Sequence, residues 1–209
     1  MVPGMPELSA GRNAEPPYRL GRAEIRLHVE VAAVPTISFR SLGAAPNVFA
    51  IESFMDELAH ASGQDPIDFR LRLVDDPRLR RVLETVRVRS AWGAPRGNGH
   101  GLGVACAVYQ GTYIAEVAEV SVGPGDAVRL ERIWCAVDAG RLVHPDGARN
   151  QIEGGVQQAA SWALLEELEV SDGLVVSQSW RDYRSRRSMT RHAGSTSSLR
   201  TIRPWPRPA

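Results

Sequence analysis

The residues able to do chemistry are few, and their spacing excludes most familiar active-site designs. The histidines at positions 28, 60, 100, 144 and 192 include no pair spaced to set two imidazoles on one helix face around a metal ion. Cys106 and Cys135 stand 29 residues apart in apolar, strand-like surroundings. Two thiols are too few for an iron–sulfur cluster or a cysteine-rich zinc site, and the setting suits buried cysteines acting as small hydrophobes. All 25 basic residues are arginine. Without lysine the chain has neither a Schiff-base amine nor a P-loop of the usual kind. The glycines around His100 do not form a dinucleotide fingerprint, and no serine sits on a nucleophile elbow. One pair stands out. Gly154-Gly155 falls in the early turns of a helical stretch, where glycine weakens the helix and suits the close approach of another backbone or a ligand.

The elements that must position these residues follow from periodicity. From Glu24 the chain alternates, with Ile25, Leu27, Val29 and Val31 on one face and Arg26, His28 and Glu30 on the other. That pattern predicts a half-buried strand with His28 in water. A helix is predicted over about 47–62, with a stripe of Phe49, Ile51, Phe54, Met55 and Leu58 and a stop at Gly63. Asp65-Pro66 and Asp76-Pro77 each combine a capping carboxylate with a first-turn proline, so two more helices follow. Leu79, Val82, Leu83 and Val86 supply the stripe of the second, and the aromatic residues of all three helices are assigned to the core.

Glycine-rich residues 95–101 mark the passage from helices to sheet. Runs Gly101–Tyr109 and Thr112–Val122 flank Gln110-Gly111, and a Gly-Pro-Gly-Asp turn at 123–126 leads into Ala127–Val137, the pattern of an antiparallel meander. A long helix is predicted from Pro145-Asp146 to about Leu168, followed by a strand pair about Ser171-Asp172-Gly173. The fold class is therefore α+β, a mixed or antiparallel sheet flanked by helices.

The 209 residues suit one domain or two small ones. Residues 1–20 read as a loop or frayed start and 21–183 as the ordered body. Residues 184–209 hold seven arginines and no acid, and their Pro/Ser/Arg composition predicts a disordered, solvated coil. The overall charge is +1, so residues 1–183 carry a net charge near −6, which argues against nucleic acid as a partner. No uninterrupted apolar run reaches the ~18 residues of a membrane span. The N-terminus lacks the basic-then-apolar order of a secretory signal, leaving the cytoplasm as the default compartment.

Four stretches, in this order, resemble the molybdenum hydroxylases, specifically the large subunit of the xanthine dehydrogenase and aldehyde oxidase family in its isoquinoline 1-oxidoreductase-like branch. They are Phe39-Arg-Ser-Leu-Gly43 with Asn47 to Leu58; Gly101-Leu-Gly-Val with Gly111 to Val120; Cys135-Ala-Val-Asp-Ala-Gly140; and His144-Pro-Asp-Gly147 with Gln151-Ile-Glu-Gly-Gly155. The resemblance, over about residues 16–183, implies part of a molybdopterin-binding domain. It further implies a molybdopterin cytosine dinucleotide whose metal hydroxylates a carbon of an aldehyde or N-heterocycle, a glutamate base, and an iron–sulfur small subunit that takes the electrons. By the same resemblance Arg40 passes beside the metal, Leu42 lines the substrate cavity, and Gln151, Gly154 and Gly155 approach the pterin and its phosphates. Such roles suit an arginine, an amide and side-chain-free backbone. Arg40 equally suits a helix-edge cation, and Gln151 a first-turn residue of an exposed helix.

The departures from the family are as informative. Its Gly-Glu-Pro-like motif with the catalytic glutamate lies after the point matching Tyr183, where this chain has its arginine-rich tail, so no catalytic residue and no metal ligand is assigned here. The Gly-Gln-Gly cofactor loop is likewise not found. The chain is expected to correspond to the middle-to-late part of a larger, truncated subunit. A non-catalytic remnant acting as an interaction module is the competing reading.

Overall fold

The computed structural model describes residues 8–28, 30, 39–177 and 179–183. Three helices come first: α1 (Ala44–Ala61), α2 (Pro66–Leu73) and α3 (Pro77–Arg89). The two Asp-Pro starts work as their chemistry dictates. Asp65 Oδ1 accepts the amide N–H groups of Ile67 and Asp68 at 2.9 and 3.0 Å. Asp76 Oδ1 accepts those of Arg78 and Leu79 at 2.7 and 3.2 Å. Each cap satisfies two donors that an α-helix leaves unpaired.

A three-stranded antiparallel meander follows, β1 (His100–Tyr109), β2 (Thr112–Val122) and β3 (Val128–Asp138), in that spatial order. The β2–β3 register shifts between Glu119 and Val120. α3 packs across all three strands. Its Leu79, Val82, Leu83 and Val86 meet Val104, Ala115, Val117, Trp134 and Ala136 from the sheet in one core, with Ile67 and Val74 beside them. The fold is thus α+β, with the meander the sequence predicts.

α4 (Pro145–Leu164) is capped by His144, whose Nδ1 accepts the N–H of Gly147 at 2.8 Å. It ends four residues before the expected Leu168. Leu165 leaves helical geometry, and its N–H and that of Glu166 both close on the carbonyl of Ser161 at 2.9 and 3.0 Å. Beyond it β4 (Val170–Ser171) and β5 (Leu174–Val175) pair about Asp172-Gly173, whose φ values of 50° and 76° suit a two-residue hairpin turn.

Inside the core lies a charge network. The Arg70 guanidinium is fully buried and donates to Glu52 Oε2 at 3.0 Å, the Glu52 carbonyl at 2.9 Å and Asp56 Oδ1 at 2.6 Å. Glu52 also accepts the Tyr18 hydroxyl at 2.7 Å and the Cys106 amide at 2.9 Å. One carboxylate therefore joins the N-terminal segment, α1, α2 and β1. Burial, with the neighbouring Glu52 charge, pushes the Cys106 thiol up to about 12. Cys106 and Cys135 are buried and free, as their apolar settings suggest.

Two expectations are corrected. Residues 24–28 and 30 form no strand, and Ile25 and Leu27 are 50% and 45% exposed. Alternation assigns faces, but a strand also needs a neighbour to hydrogen-bond, and among the described residues none runs beside this segment; His28 is exposed outside any ladder. Phe49 and Phe54 are 71% and 58% exposed rather than core. α1 turns Glu52, Met55 and Ala59 inward because Arg70 and Cys106 capture the Glu52 carboxylate, and that rotation carries the two phenylalanines outward. Of the two readings offered for the start of the chain, residues 8–20 take the loop: Tyr18 is buried, the Arg19 N–H donates to Leu73 O at 2.8 Å, and Asn13 Nδ2 donates to Val108 O at 2.8 Å. The arginine-rich tail lies outside the described residues.

Candidate functional site

The loop at 39–43 is shaped by its backbone. Ser41 and Leu42 have φ of 69° and 55°, a left-handed conformation that side-chain-bearing residues rarely adopt. The Leu42 N–H closes on Phe39 O and the Ala44 N–H on Ser41 O, each at 3.0 Å. Gly43 then passes against the short 3-10 turn Leu8–Gly11, donating its N–H to Ser9 O at 3.1 Å. A Cβ at position 43 would overlap the Ala10 carbonyl, so glycine is needed there for a steric reason.

This turn sends Arg40 across α4. Nη2 donates to the main-chain oxygen of Gln151 and Nη1 to Oε1 of Gln158, both at 3.1 Å. Between those anchors lie the glycines. A Cβ built on Gly154 would stand 3.9 Å from Nη1, and one on Gly155 would stand 3.6 Å from Nη2. The guanidinium therefore rests on bare helix backbone. Positions 151, 154, 155 and 158 are spaced at three and four residues, which puts them on one face of α4.

An apolar wall adjoins this contact. Phe39 packs on Trp162 with ring centroids 5.2 Å apart at 42°. Together with Arg40, Leu42, Ala45, Pro46, Glu166 and Tyr183 they line a cavity of about 350 Å³. The Tyr183 hydroxyl donates to Glu166 Oε2 at 2.8 Å, and that bond to a carboxylate holds the phenol above its usual pKa.

Arg40, Gln151, Gly154 and Gly155 thus meet at one contact, and Leu42 lines the cavity beside it. The glycine pair is expected to admit another backbone or a ligand; among the described residues the group lying over it is the Arg40 side chain, at ordinary contact distance. Sequence reasoning missed Gln158, Phe39, Trp162, Glu166 and Tyr183. Gln158 was legible as the next position on the Gln151–Gly155 face; the others converge through tertiary structure. The site offers a guanidinium, an exposed glutamine and two side-chain-free helix positions, donor chemistry that fits an anionic ligand rich in acceptors. Among the described residues no group of three or more His, Cys, Asp or Glu side chains is arranged to hold a metal ion, and no helix is long and apolar enough to cross a membrane.

Two molybdopterin cofactor-binding domain families match, one over residues 3–74 and one over residues 82–190. The beta subunit of the isoquinoline 1-oxidoreductase of Brevundimonas diminuta is 36% identical over 156 residues, covering 72% of this chain and 20% of that protein. A nicotinate dehydrogenase subunit of Pseudomonas putida is 32% identical over 200 residues, covering 87% of this chain and 17% of that protein. A solved aldehyde oxidoreductase from Desulfovibrio gigas overlaps 46% of this chain and 13% of its own at 22% identity and a TM-score of 0.30, too low to bear on the fold.

The chain belongs to the molybdopterin cofactor-binding domain family. It spans about a fifth of the length of these curated relatives.

Proposed function

We propose that this chain contributes part of the site that holds a molybdopterin cofactor in a molybdenum-dependent oxidoreductase. The observation that carries this reading is the contact of Arg40 with the Gln151–Gly155 face of α4, whose donor chemistry suits an anionic ligand, in a chain that matches two molybdopterin cofactor-binding families. When bound, the cofactor supplies the redox chemistry, hydroxylation at a carbon with electrons passed to a partner. The residues present do the holding. Gln151 O and Gln158 fix the plane of the Arg40 guanidinium, and its remaining N–H bonds serve ligand oxygens. The exposed Gln151 side chain offers an amide donor and acceptor to the same ligand.

The finer reading is that the cofactor is the cytosine dinucleotide form, that Leu42 touches a small aldehyde or N-heterocycle in the adjoining cavity, and that an iron–sulfur small subunit accepts the electrons. The relatives are named as subunits of isoquinoline and nicotinate oxidoreductases, which favours the heterocycle. No residue here is assigned as the catalytic base. Residues 21–183 are proposed to act as the cofactor-binding unit.

Arg40→Ala and Gln151→Ala test the reading. Full chain purified from molybdenum-replete cells is oxidised, and the fluorescent pterin released is quantified, with cytidine monophosphate reporting the nucleotide form. Each variant is expected to retain roughly tenfold less pterin than the parent, the effect of about one charged hydrogen bond. Equal retention would remove both residues from the site.

A further inference from the structure

Asp138 ends β3 within the Cys135-Ala-Val-Asp138-Ala-Gly140 stretch, and Arg78 closes on it from the first turn of α3. The pairing is bidentate, Nε to Oδ2 at 2.9 Å and Nη2 to Oδ1 at 2.7 Å, with Nη2 also donating to the Asp138 carbonyl at 3.2 Å. Oδ1 additionally accepts the N–H of Gly140 at 3.0 Å, folding the chain back as it leaves the sheet. Gly140 has φ of 67°, a conformation glycine adopts without steric cost. Arg78 is itself held. Its guanidinium lies 4.2 Å from the centroid of the Tyr113 ring, and the Tyr113 hydroxyl donates to Oδ2 of Asp76, the carboxylate that caps α3.

Four residues after Gly140, His144 caps α4. The Arg78–Asp138 fork thus anchors the near end of the short segment that launches the helix bearing Gln151, Gly154 and Gly155. Arg40 grips that helix farther along. A carboxylate and a guanidinium matched tooth for tooth fix direction as well as distance.

We propose that Arg78 and Asp138 are positioning residues that set where α4 presents Gln151, Gly154 and Gly155, a role that rests on the cofactor reading of those positions. They touch no ligand. They act by holding the exit of β3 to the packed α3–sheet body, so that the cofactor-facing backbone is ordered before binding.

Hydrogen exchange of the full chain, combined with pterin retention, tests this. Asp138→Asn keeps an acceptor for Gly140 and removes the ionic fork; Arg78→Lys keeps the charge and removes the fork geometry. Arg87→Gln is the control, breaking the comparable Arg87–Asp68 pair between α2 and α3. In both fork variants, amides in peptides covering residues 145–158 are expected to exchange at least about threefold faster, with residues 79–86 and 104–117 unchanged. Pterin retention is expected to fall roughly tenfold, with Arg78→Lys the milder of the two and Arg87→Gln at the parent level. Unchanged exchange in α4, or acceleration spread evenly over the core, overturns the proposal. A parent chain that takes up no pterin defeats the cofactor reading instead, and the exchange pattern then reports on the anchor alone.

Discussion

The Arg40 guanidinium donates to the main-chain oxygen of Gln151 at 3.1 Å across 111 residues of sequence, and in doing so lies over the only two adjacent glycines of α4. This contact fastens the loop before α1 to the face of a helix that the meander delivers from the other end of the fold. A helix carbonyl already bonded within its own ladder gains a second, charged donor, so the loop and the helix are fixed relative to each other.

Glycine at 154 and 155 is not required by space in this fold, since added Cβ atoms would make ordinary contacts of 3.9 and 3.6 Å with Arg40. Gly154→Ala is therefore expected to stabilise the chain by about 0.5–1 kcal/mol, the helical advantage of alanine. If the glycines serve a ligand, the same substitution lowers pterin retention. A urea denaturation curve beside a pterin measurement checks both; destabilisation by Gly154→Ala would show that the fold itself needs the glycine.

The Arg70 network is expected to be the most sensitive polar feature of the core. Arg70→Ala leaves the buried Glu52 carboxylate without its cation and is expected to cost about 3–5 kcal/mol. Arg70→Met combined with Glu52→Gln removes both charges and should recover most of that loss. Denaturant unfolding of the singles and the double measures the difference; a small effect of Arg70→Ala would contradict a network that unites α1, α2 and β1.

Stability is expected to fall on both sides of mildly acidic pH. Hydrogen bonds from Arg78 hold Asp138 below the usual carboxylate range. Burial raises Asp65 and Asp76, but bonds from Trp92 and Tyr113 respectively, together with the cap amides, hold them low. These three contribute stability that is present above their unfolded value of about 4 and lost as pH falls through their lower folded values. Glu116 is the opposite case. Burial on β2 raises its pKa against the lowering effect of the Cys135 hydrogen bond. Its contribution is complete below about pH 4.3 and is lost as pH rises through the raised folded value. Glu116→Gln should flatten the neutral limb of a stability profile taken by urea titration and leave the acid limb intact. A Glu116→Gln profile parallel to the parent's would remove Glu116 as the cause.

The local grammar of the chain was legible and its partnerships were not. Asp65-Pro66 and Asp76-Pro77 announce helices because a cap and its donors are two or three residues apart. The meander reads from alternation and glycine turns for the same reason. The segment from Glu24 failed because a ladder partner is not a local property. Phe49 and Phe54 failed because Arg70, a helix away, decides which face of α1 turns inward. Motif resemblance pointed to Arg40, Leu42, Gln151, Gly154 and Gly155, which the fold brings together, while the left-handed backbone at Ser41 and Leu42 and the packing of Phe39 on Trp162 are tertiary features that no local pattern announces. Asp138 lies within one of the resembling motifs, but its role depends on an arginine 60 positions away.

The decisive measurement is the molybdenum and pterin content of the purified full chain, determined per polypeptide by elemental analysis and pterin fluorescence, alone and with the iron–sulfur small subunit proposed as its partner. A cofactor site at Arg40 and α4 predicts approximately stoichiometric molybdenum and pterin in a folded, monodisperse preparation, with both falling roughly tenfold on Arg40→Ala. A folded preparation that binds neither, in either setting, would contradict the assignment of Arg40 and the Gln151–Gly155 face to a cofactor site and leave the arginine as a bracket between loop and helix.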